Sequence, residues 1–277
     1  MVSIIPCDLH VHPDYSIDAG SSIKEYCVKA RQIGLQTIGF STHYDVNPAR
    51  GAKDAFMVVD GEKTRVSDYT LERYIKDCRE AQNLFPDLKI LIGLEIDYFP
   101  GIETEVKRLR SDFSFDYFIG SVHCLDGIAM TSKNVVGDYL SSHSISEMAD
   151  QYFELLFNVA DCGLFDVIGH ADYYLLPGLR YYGDDILNIH NDRLDRIVRA
   201  AIRTLTGFEI NTSYLRKGGG DFYPRIEFLK TAIELGAKIN SVGSDSHHTS
   251  HLGANINKSL NIIREYGIVF KPFYEND

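Results

Sequence analysis

Histidine and aspartate residues lie close together near the start of this 277-residue sequence, in the segment CDLHVHPDYSIDAG at residues 7–20. His10 and His12 are one residue apart, and Asp18 follows six residues later. Residues 6–12 have the pattern of a strand, in which residues i and i+2 project from the same face. The two imidazoles are therefore expected to point the same way, either as a solvated polar pair or as half of a metal site.

The ends of the other candidate strands carry the same kinds of residue. A single histidine at a strand end is usually only polar and solvated, but six of the ten histidines fall at such ends. Imidazole and carboxylate groups are ligands of Zn, Mn and Fe, and a carboxylate can bridge two metal ions for hydrolysis at phosphorus or carbon. The pattern therefore predicts a site for more than one metal ion. The strand-end residues are His10, His12, His43, Glu95, Asp97, His123, His170, Asp172, Asn211, Asp245 and His247.

Short apolar or aromatic segments alternate along the chain with longer stretches of helical spacing. Seven such β-then-α units favour a parallel sheet, since parallel strands need helical crossovers. Closure into a seven-stranded barrel is expected, with an open doubly wound sheet as the alternative. In a parallel barrel the strand C-termini share one rim, which brings the strand-end residues together. The candidate strands are 6–12, 37–43, 89–97, 115–124, 165–172, 207–213 and 238–246, and the candidate helices are 22–33, 68–84, 102–110, 145–161, 191–205, 224–235 and 256–265.

The ends of these helices and the long connections complete the predicted organisation. Helix stops are expected at Gly34, Gly163, Gly207 and Gly236. Helix N-caps are expected at Asp68, Ser144 and Asn191. The connections 44–67 and 173–190 are long enough to help build the site.

The composition is typical of a globular protein with a sizeable core, at 44% hydrophobic and 24% charged residues. We expect one domain over residues 1–277, no signal peptide and no membrane span. Five widely spaced cysteines predict reduced thiols and a cytoplasmic location. A net charge of −11 without a basic cluster argues against a nucleic-acid partner. A small anionic substrate and a homo-oligomer remain open.

Taken in order, these motifs resemble the PHP (polymerase and histidinol phosphatase) family. The resemblance runs from residue 7 to about 253, and the combination of motifs is specific although no single motif is. It implies a distorted (β/α)7 barrel that forms a metal-dependent active site. The motifs are HVH at 10–12, Asp18, STH at 41–43, GLE at 93–95, SVH at 121–123, GH at 169–170 and GSDSH at 243–247.

The same resemblance implies two to three divalent metal ions, of Zn, Mn or Fe. Asp18 stands where some relatives have histidine, and an oxygen ligand there would shift the preference from Zn toward Mn or Fe. Glu95 would be shared between the first two ions. The implied ligand sets are His10, His12, Glu95 and Asp245 for the first ion, Glu95, His123 and His170 for the second, and Asp18, His43 and His247 for the third.

Within the family, the segment EINTSYLRKGGGDFYPR at residues 209–225 is similar to the stand-alone histidinol-phosphate phosphatases. This implies hydrolysis of L-histidinol phosphate to L-histidinol and phosphate in histidine biosynthesis. Arg216 and Arg180 are expected to bind the phosphate, because a guanidinium offers a planar fork of donors. Asn211 is expected to orient a ligand or the substrate. Lys217 is interpreted as solvated, and the following three glycines as a flexible turn, since the Walker pattern is absent.

The predicted chemistry is metal-assisted hydrolysis of a phosphate monoester, with Glu95, His123 and Asp245 as catalytic residues. Alternatives are a phosphoesterase for nucleotides or cyclic phosphodiesters, an amidohydrolase-like C–N hydrolase, and a non-catalytic module such as those within DNA polymerases. The apparently complete ligand set and the acidic charge argue against the last of these. The remaining histidines are interpreted as structural or solvated, namely His143, His190, His248 and His251.

Overall fold

The computed structural model describes residues 6–53, 55–131 and 135–275. Its strands are β1 (Cys7–Val11), β2 (Thr37–Tyr44), β3 (Phe56–Val59), β4 (Glu62–Arg65), β5 (Lys89–Asp97), β6 (Tyr117–Ser121), β7 (Cys124–Leu125), β8 (Ile128–Ala129), β9 (Val167–Ile168), β10 (Gly207–Asn211) and β11 (Ile239–Gly243). Seven of them form one sheet in the order β1-β2-β5-β6-β9-β10-β11. Every pairing in this sheet is parallel. β3 with β4, and β7 with β8, form antiparallel hairpins.

The first and last strands of this sheet meet, so that it is nearly closed into a barrel. Val11 forms a parallel bridge with Ser246. The His12 N–H donates to the Ser246 carbonyl at 2.8 Å, and the Ser246 N–H donates to the His10 carbonyl at 3.3 Å. The predicted seven-stranded barrel is confirmed, and the open doubly wound alternative is wrong.

Helices surround the barrel and supply the crossovers between its parallel strands. Two 3-10 helices, Pro48–Lys53 and Gly183–Asn188, lie in the two long connections, and a third covers Thr249–His251. The α-helices are α1 (Ile23–Ile33), α2 (Asp68–Leu84), α3 (Glu103–Asp112), α4 (Val136–Ser142), α5 (Ile145–Asp161), α6 (Leu175–Tyr182), α7 (Leu194–Thr204), α8 (Ser213–Arg216), α9 (Ile226–Glu234) and α10 (Ile256–Glu265).

Two of the three predicted N-caps are wrong. Ser144 does cap α5, but α2 is capped by Ser67, whose hydroxyl accepts the Thr70 N–H at 3.4 Å. Asp68 instead occupies the first turn, where a negative charge interacts favourably with the helix dipole. The predicted cap Asn191 lies in a turn, and α7 begins later, after Arg193, without a side-chain cap.

Three of the four predicted helix stops hold, with a positive φ at Gly34, Gly163 and Gly236. Gly207 does not stop α7, because Leu205 already takes the left-handed conformation at φ 64°. Gly207 begins β10 instead. A Cβ there would lie 2.1 Å from the Asn240 side chain, so close packing explains the glycine.

Strands near the site are shorter than predicted. The predicted strand 165–172 pairs only at Val167–Ile168, because the His170 N–H turns to the Glu209 carboxylate at 3.1 Å. The predicted strand 115–124 divides into β6 and β7. The predicted strand 207–213 ends at Asn211, after which α8 begins. At these strand ends the backbone leaves the sheet to build the site.

Tyr117 fills the barrel interior beneath the site. It is fully buried, and its hydroxyl donates to the Leu9 carbonyl across the barrel at 2.9 Å. A Cβ at Gly93 would lie 2.5 Å from the Tyr117 ring, so the glycine makes room for it. Phe273, near the chain end, stacks on the other side of the ring at 4.7 Å between centroids. The barrel interior is therefore a packed core, and the rim of strand C-termini is the place where sites lie in such barrels.

Among the described helices, none combines the length and the apolar character that a membrane crossing requires.

Candidate metal centre

The Glu95 carboxylate, at the end of β5, lies at the centre of a cluster of imidazoles. Its Oε2 atom lies 3.3 Å from His10 Nε2, 3.5 Å from His12 Nε2 and 3.0 Å from His43 Nδ1. Glu95, His10 and His12 are fully buried, whereas His43 is partly exposed. One carboxylate oxygen thus faces three histidines from two neighbouring strands.

The other Glu95 oxygen faces a second pair of histidines. Oε1 lies 2.7 Å from His170 Nε2 and 3.2 Å from His123 Nε2, and the two Nε2 atoms are 3.4 Å apart. The Ser121 hydroxyl donates to the same oxygen at 2.6 Å. The geometry therefore matches a carboxylate shared between two ligand groups.

A third group lies toward the cavity mouth, around Asp18 and His247. Asp18 Oδ2 is 3.3 Å from His247 Nε2, and Asp18 Oδ1 is 3.8 Å from His43 Nε2. The His43 and His247 Nε2 atoms are 3.4 Å apart. Asp245, whose backbone has a φ of 52°, directs Oδ1 toward His12 Nε2 at 3.5 Å. All nine residues predicted as metal ligands thus converge on one site.

The buried imidazole nitrogens show that this site suits metal ions. His10 Nε2, His12 Nε2 and His43 Nδ1 are buried and have no hydrogen-bond partner among the described residues. A buried polar atom left without a partner costs about 1–3 kcal/mol, and a coordinated cation removes that cost. Four sets of described residues each have their ligand atoms within 4.8 Å of one another: His10, His12 and Glu95; Glu95, His123 and His170; His12, His43 and His247; and His43, Asp45 and His123.

The protonation of the central residues also suits a metal site. Burial opposes ionisation of Glu95, but the charges of His10 and His123 hold the pKa of this carboxyl well below its ordinary value. Burial lowers the pKa of His12, and the neighbouring His43 lowers it further. Neighbouring carboxylates, Glu95 among them, raise the pKa of His10 and of His123, so a cation that binds there would displace protons from these imidazoles.

Glu209 supports this cluster from behind, a role that the sequence did not reveal. It is fully buried on β10, and its Oε1 lies 2.8 Å from His10 Nδ1. Its Oε2 accepts the His170 N–H at 3.1 Å. A carboxylate on the second nitrogen of a metal-binding histidine fixes the ring orientation. The available signal was its position two residues before Asn211, on the same face of the strand.

Asp45 and Asp97 flank His123 on its Nδ1 side. Asp97 Oδ1 accepts the His123 N–H at 2.9 Å. Asp45 Oδ1 lies 3.8 Å from His123 Nδ1, is buried and has no hydrogen-bond partner among the described residues. Asp45 also groups with His43 and His123 as a possible cation site. It was not predicted, although its place two residues after His43 is the same spacing that identified His12.

A cavity of about 730 Å³ opens above the cluster. The connection after β2, predicted to help build the site, lines it with Asp45, Arg50, Ala55 and Phe56. The predicted connection 173–190 contributes Tyr173 alone among the described lining residues. The remaining lining residues are Ile17, Asp18, His43, Glu95, His123, Thr131, His170, Arg216, Lys217, Asp245, His247 and His251.

The three predicted substrate-binding residues differ in their placement. Arg216 lines the cavity, and its guanidinium donates to the Ser244 carbonyl at 2.6 Å and the Asp245 carbonyl at 2.9 Å. Asn211 is fully buried behind the ligands, and its amide donates to Glu209 at 3.3 Å. Arg180 is exposed on α6 and is absent from the described lining of the cavity.

Lys217 departs from its interpretation as a merely solvated residue. It is exposed, but it also lines the cavity, with Nζ 5.6 Å from the centre of the Tyr173 ring. It lies beside Arg216, so two cations from the end of β10 face the cavity. His251 likewise lines the cavity instead of being remote from it.

The other three unassigned histidines lie outside the cavity lining given by the described residues. His143 stacks on Tyr139 at 4.1 Å. His190 is buried against Phe228, with ring centroids 5.3 Å apart. His248 caps the short 3-10 helix by accepting the Ser250 N–H at 3.2 Å. Their interpretation as structural or solvated residues is consistent with these positions.

Curated relatives align along nearly the whole chain. A "Probable histidinol-phosphatase" of Deinococcus radiodurans is 29% identical over 94% of this chain and 94% of its own length. One of Clostridium acetobutylicum is 27% identical over 96% of this chain and 95% of its own. The "Histidinol-phosphatase" of Lactococcus lactis is 26% identical over 94% and 91%.

Solved structures share the fold. A histidinol phosphate phosphatase from Lactococcus lactis, complexed with zinc, L-histidinol and phosphate, superposes with a TM-score of 0.78 at 22% identity, covering 99% of this chain and 100% of that one. A putative histidinol phosphatase from Listeria monocytogenes gives 0.76 at 19% identity, covering 91% and 99%. The family model described as "PHP domain" matches residues 8–213, which confirms the predicted resemblance. The chain therefore belongs to the PHP domain family.

Proposed function

We propose that this protein is a metal-dependent phosphatase that hydrolyses L-histidinol phosphate to L-histidinol and phosphate. The observation that carries the proposal is the buried Glu95 carboxylate, which faces three histidines with one oxygen and two with the other. Such a shared carboxylate is a feature of hydrolytic centres that hold two metal ions. Relatives named histidinol-phosphatases that align along almost the whole chain support the choice of substrate.

Two to three divalent ions, of Zn, Mn or Fe, would occupy the centre. Ions bound there supply a Lewis acid for the phosphoryl oxygens and acidify a water molecule. The proposed ligand sets are His10, His12, Glu95 and Asp245 for the first ion, Glu95, His123 and His170 for the second, and Asp18, His43 and His247 for the third.

Residues around the ligands hold the reacting groups in place. Glu209 fixes the His10 ring, and Asp97 fixes the His123 backbone. The Arg216 guanidinium ties down the backbone of Asp245, which has a positive φ. Such preorganisation lowers the reorganisation needed during the reaction.

Positive side chains on the cavity wall would receive the phosphate. Arg216 and Lys217 both line the cavity and follow the end of β10. Their charges would offset the negative charge of a phosphate monoester and of its transition state. Asn211 acts indirectly, since its amide holds the Glu209 carboxylate. Arg180 is left out of the proposed site because it is exposed on α6, away from the described lining.

Phosphate release from L-histidinol phosphate tests this proposal. The purified protein would be assayed with Mn, Zn or Fe, with and without chelator, beside p-nitrophenyl phosphate and a nucleotide panel. Chelator-sensitive release that strongly prefers L-histidinol phosphate is expected. Chelator-sensitive release without that preference would assign the centre to another phosphoester. No release with any of the metals would contradict the phosphatase proposal.

A further inference from the structure

One carboxylate in the cavity has no part in the proposed ligand sets. Among the described lining residues the carboxylates are Asp18, Asp45, Glu95 and Asp245. Asp18, Glu95 and Asp245 each face a histidine of the cluster and are assigned to metal. Asp45 remains, at the wall of a cavity that must also hold the organic part of the substrate.

Asp45 lies across the barrel from the cations proposed to receive phosphate. It follows β2, whereas Arg216 and Lys217 follow β10. In the ring β1-β2-β5-β6-β9-β10-β11, with β1 beside β11, β2 and β10 are separated by three strand steps one way and four the other. This is the greatest separation that a seven-strand ring allows. The cavity therefore has two cations after β10, whereas the connection after β2 contributes both Asp45 and Arg50.

Two backbone hydrogen bonds hold the connection in which Asp45 lies. The Ala55 N–H donates to the Asp45 carbonyl at 2.7 Å, and the Val66 N–H donates to the Ala55 carbonyl at 2.9 Å. The Asp45 side chain is 26% exposed, so it is partly open to the cavity. Its distance of 3.8 Å from His123 Nδ1 is too long for a hydrogen bond.

The charge of the proposed substrate matches this arrangement. L-Histidinol phosphate carries a phosphate dianion at one end and an ammonium group on the neighbouring carbon. A site that binds only the phosphate would accept many esters, whereas a buried charge left unpaired by an analogue rejects that analogue. Because the ammonium lies only a few bonds from the phosphate, its partner must lie close to the metal-binding residues, and Asp45, 3.8 Å from His123 Nδ1, is such a carboxylate.

We propose that Asp45 binds the substrate ammonium group and makes the site selective for phosphate monoesters of amino alcohols. This inference rests on the proposed function, because it assigns a specificity residue to the same cavity. Asp45 acts on substrate binding and leaves the metal ligands in place. Arg216 and Lys217 serve every phosphate ester, whereas Asp45 serves only those with a nearby cation.

The test compares Asp45→Asn with the wild type on two substrates, L-histidinol phosphate and its deamino analogue 3-(imidazol-4-yl)propyl phosphate. We expect the variant to lose roughly 10- to 100-fold in kcat/KM on the first substrate, mainly through KM, as the loss of a charged hydrogen bond implies. Hydrolysis of the deamino analogue should be unchanged. The wild type should prefer the aminated substrate by a similar factor, and the variant should lose that preference.

Two further measurements separate binding from metal loss. Metal content by mass spectrometry should be equal in the wild type and in Asp45→Asn. Calorimetric binding of the product L-histidinol should weaken in the variant. Asp14→Asn is a matched control, since Asp14 is a partly buried carboxylate outside the described cavity lining. It should leave all of these readouts unchanged.

Four outcomes would overturn the inference. Reduced metal content in Asp45→Asn would make Asp45 a metal ligand with His43 and His123. An equal loss on both substrates would make it a positioning residue for His123. A wild type that hydrolyses both substrates equally well would leave no selectivity to explain. If the wild type releases phosphate from neither, the proposed function itself fails and the inference falls with it.

Discussion

The strand ends and the connections of this barrel build two different halves of one site. The strand-end half, centred on Glu95 and His10, is buried and tied together by short contacts. The connection half, which includes Arg216, Lys217 and Asp45, is more exposed and faces the cavity. The first half suits metal binding, which needs fixed ligands, and the second suits substrate recognition. Under the proposed function, the chemistry is therefore placed on rigid elements and the choice of substrate on loops.

Removing the shared carboxylate should have the largest effect on activity of any change in the strand-end half. We expect Glu95→Gln to lower kcat by roughly a thousandfold or more, because it removes the negative charge that faces both groups of histidines. Steady-state kinetics and metal analysis of the purified variant would check this. Glu80→Gln, at an exposed position on α2, is the control. Near-normal turnover in Glu95→Gln would mean that the carboxylate is not shared by metals.

Variants of Glu209 test whether its contact with His10 increases the metal affinity of the strand-end half. Glu209→Ala should weaken metal binding by roughly 10- to 100-fold, as found when a histidine ligand loses its orienting partner. Competition with a coloured chelator would measure the affinity. Glu209→Gln keeps an acceptor for His10 and should be affected less. If both variants bound metal like the wild type, Glu209 would have only a packing role.

The connection half should respond mainly through KM, although Arg216 also holds the backbone of Asp245. Arg216→Ala is expected to raise KM for phosphate esters by roughly tenfold or more, since it removes a charged donor. Arg180→Ala is the matched comparison and should leave KM unchanged, because Arg180 is exposed outside the described lining. Initial rates over a range of substrate concentrations would measure both. An increase in KM for Arg180→Ala, with none for Arg216→Ala, would show that Arg180 binds the phosphate instead of Arg216.

The smallest effect concerns His190, which belongs to neither half. Burial, together with the nearby Arg225 charge, lowers the pKa of His190 from 6.5 to about 4. The unfolded chain therefore binds more protons between these values, and stability is lost as the pH falls from 6.5 toward 4. In chelator-treated protein, His190→Leu should show a shallower loss over this range in urea unfolding. If the unfolding free energy of the variant fell with pH as steeply as that of the wild type, His190 would not be a cause of the acid destabilisation.

The strand-end half was predictable because periodicity alone places it. His10 and His12 share a strand face by their spacing, and Glu95 and His123 end apolar segments that can only be buried strands. Parallel pairing then brings all strand C-termini to one rim. The barrel and the convergence of eight of the nine metal-binding candidates follow from these local rules, whereas Asp18, which lies between β1 and α1, was assigned from the family resemblance.

The connection half was less predictable because loop geometry depends on distant contacts. Arg180 and Arg216 both follow predicted strands in the sequence. Of the two, Arg216 belongs to the described cavity lining, where its guanidinium donates to the Ser244 and Asp245 carbonyls. Asp45 was missed because the strand it follows appeared to end at His43. Glu209 was missed because a glutamate inside an apolar strand has no local signature of its partner, which is 199 residues away.

The bridge between Val11 and Ser246 has a consequence for biogenesis. His10 and Asp245, which would coordinate one ion, come from the first and last strands of the sheet. A ribosome exposes the first long before it has made the second, so the coordination sphere of this ion can be complete only after residue 245 has been synthesised. This ion would then bind only once the barrel has closed. Its binding free energy would stabilise the closed, native state. A chain that ends before Asp245 would therefore lack one of the proposed ligands of this ion.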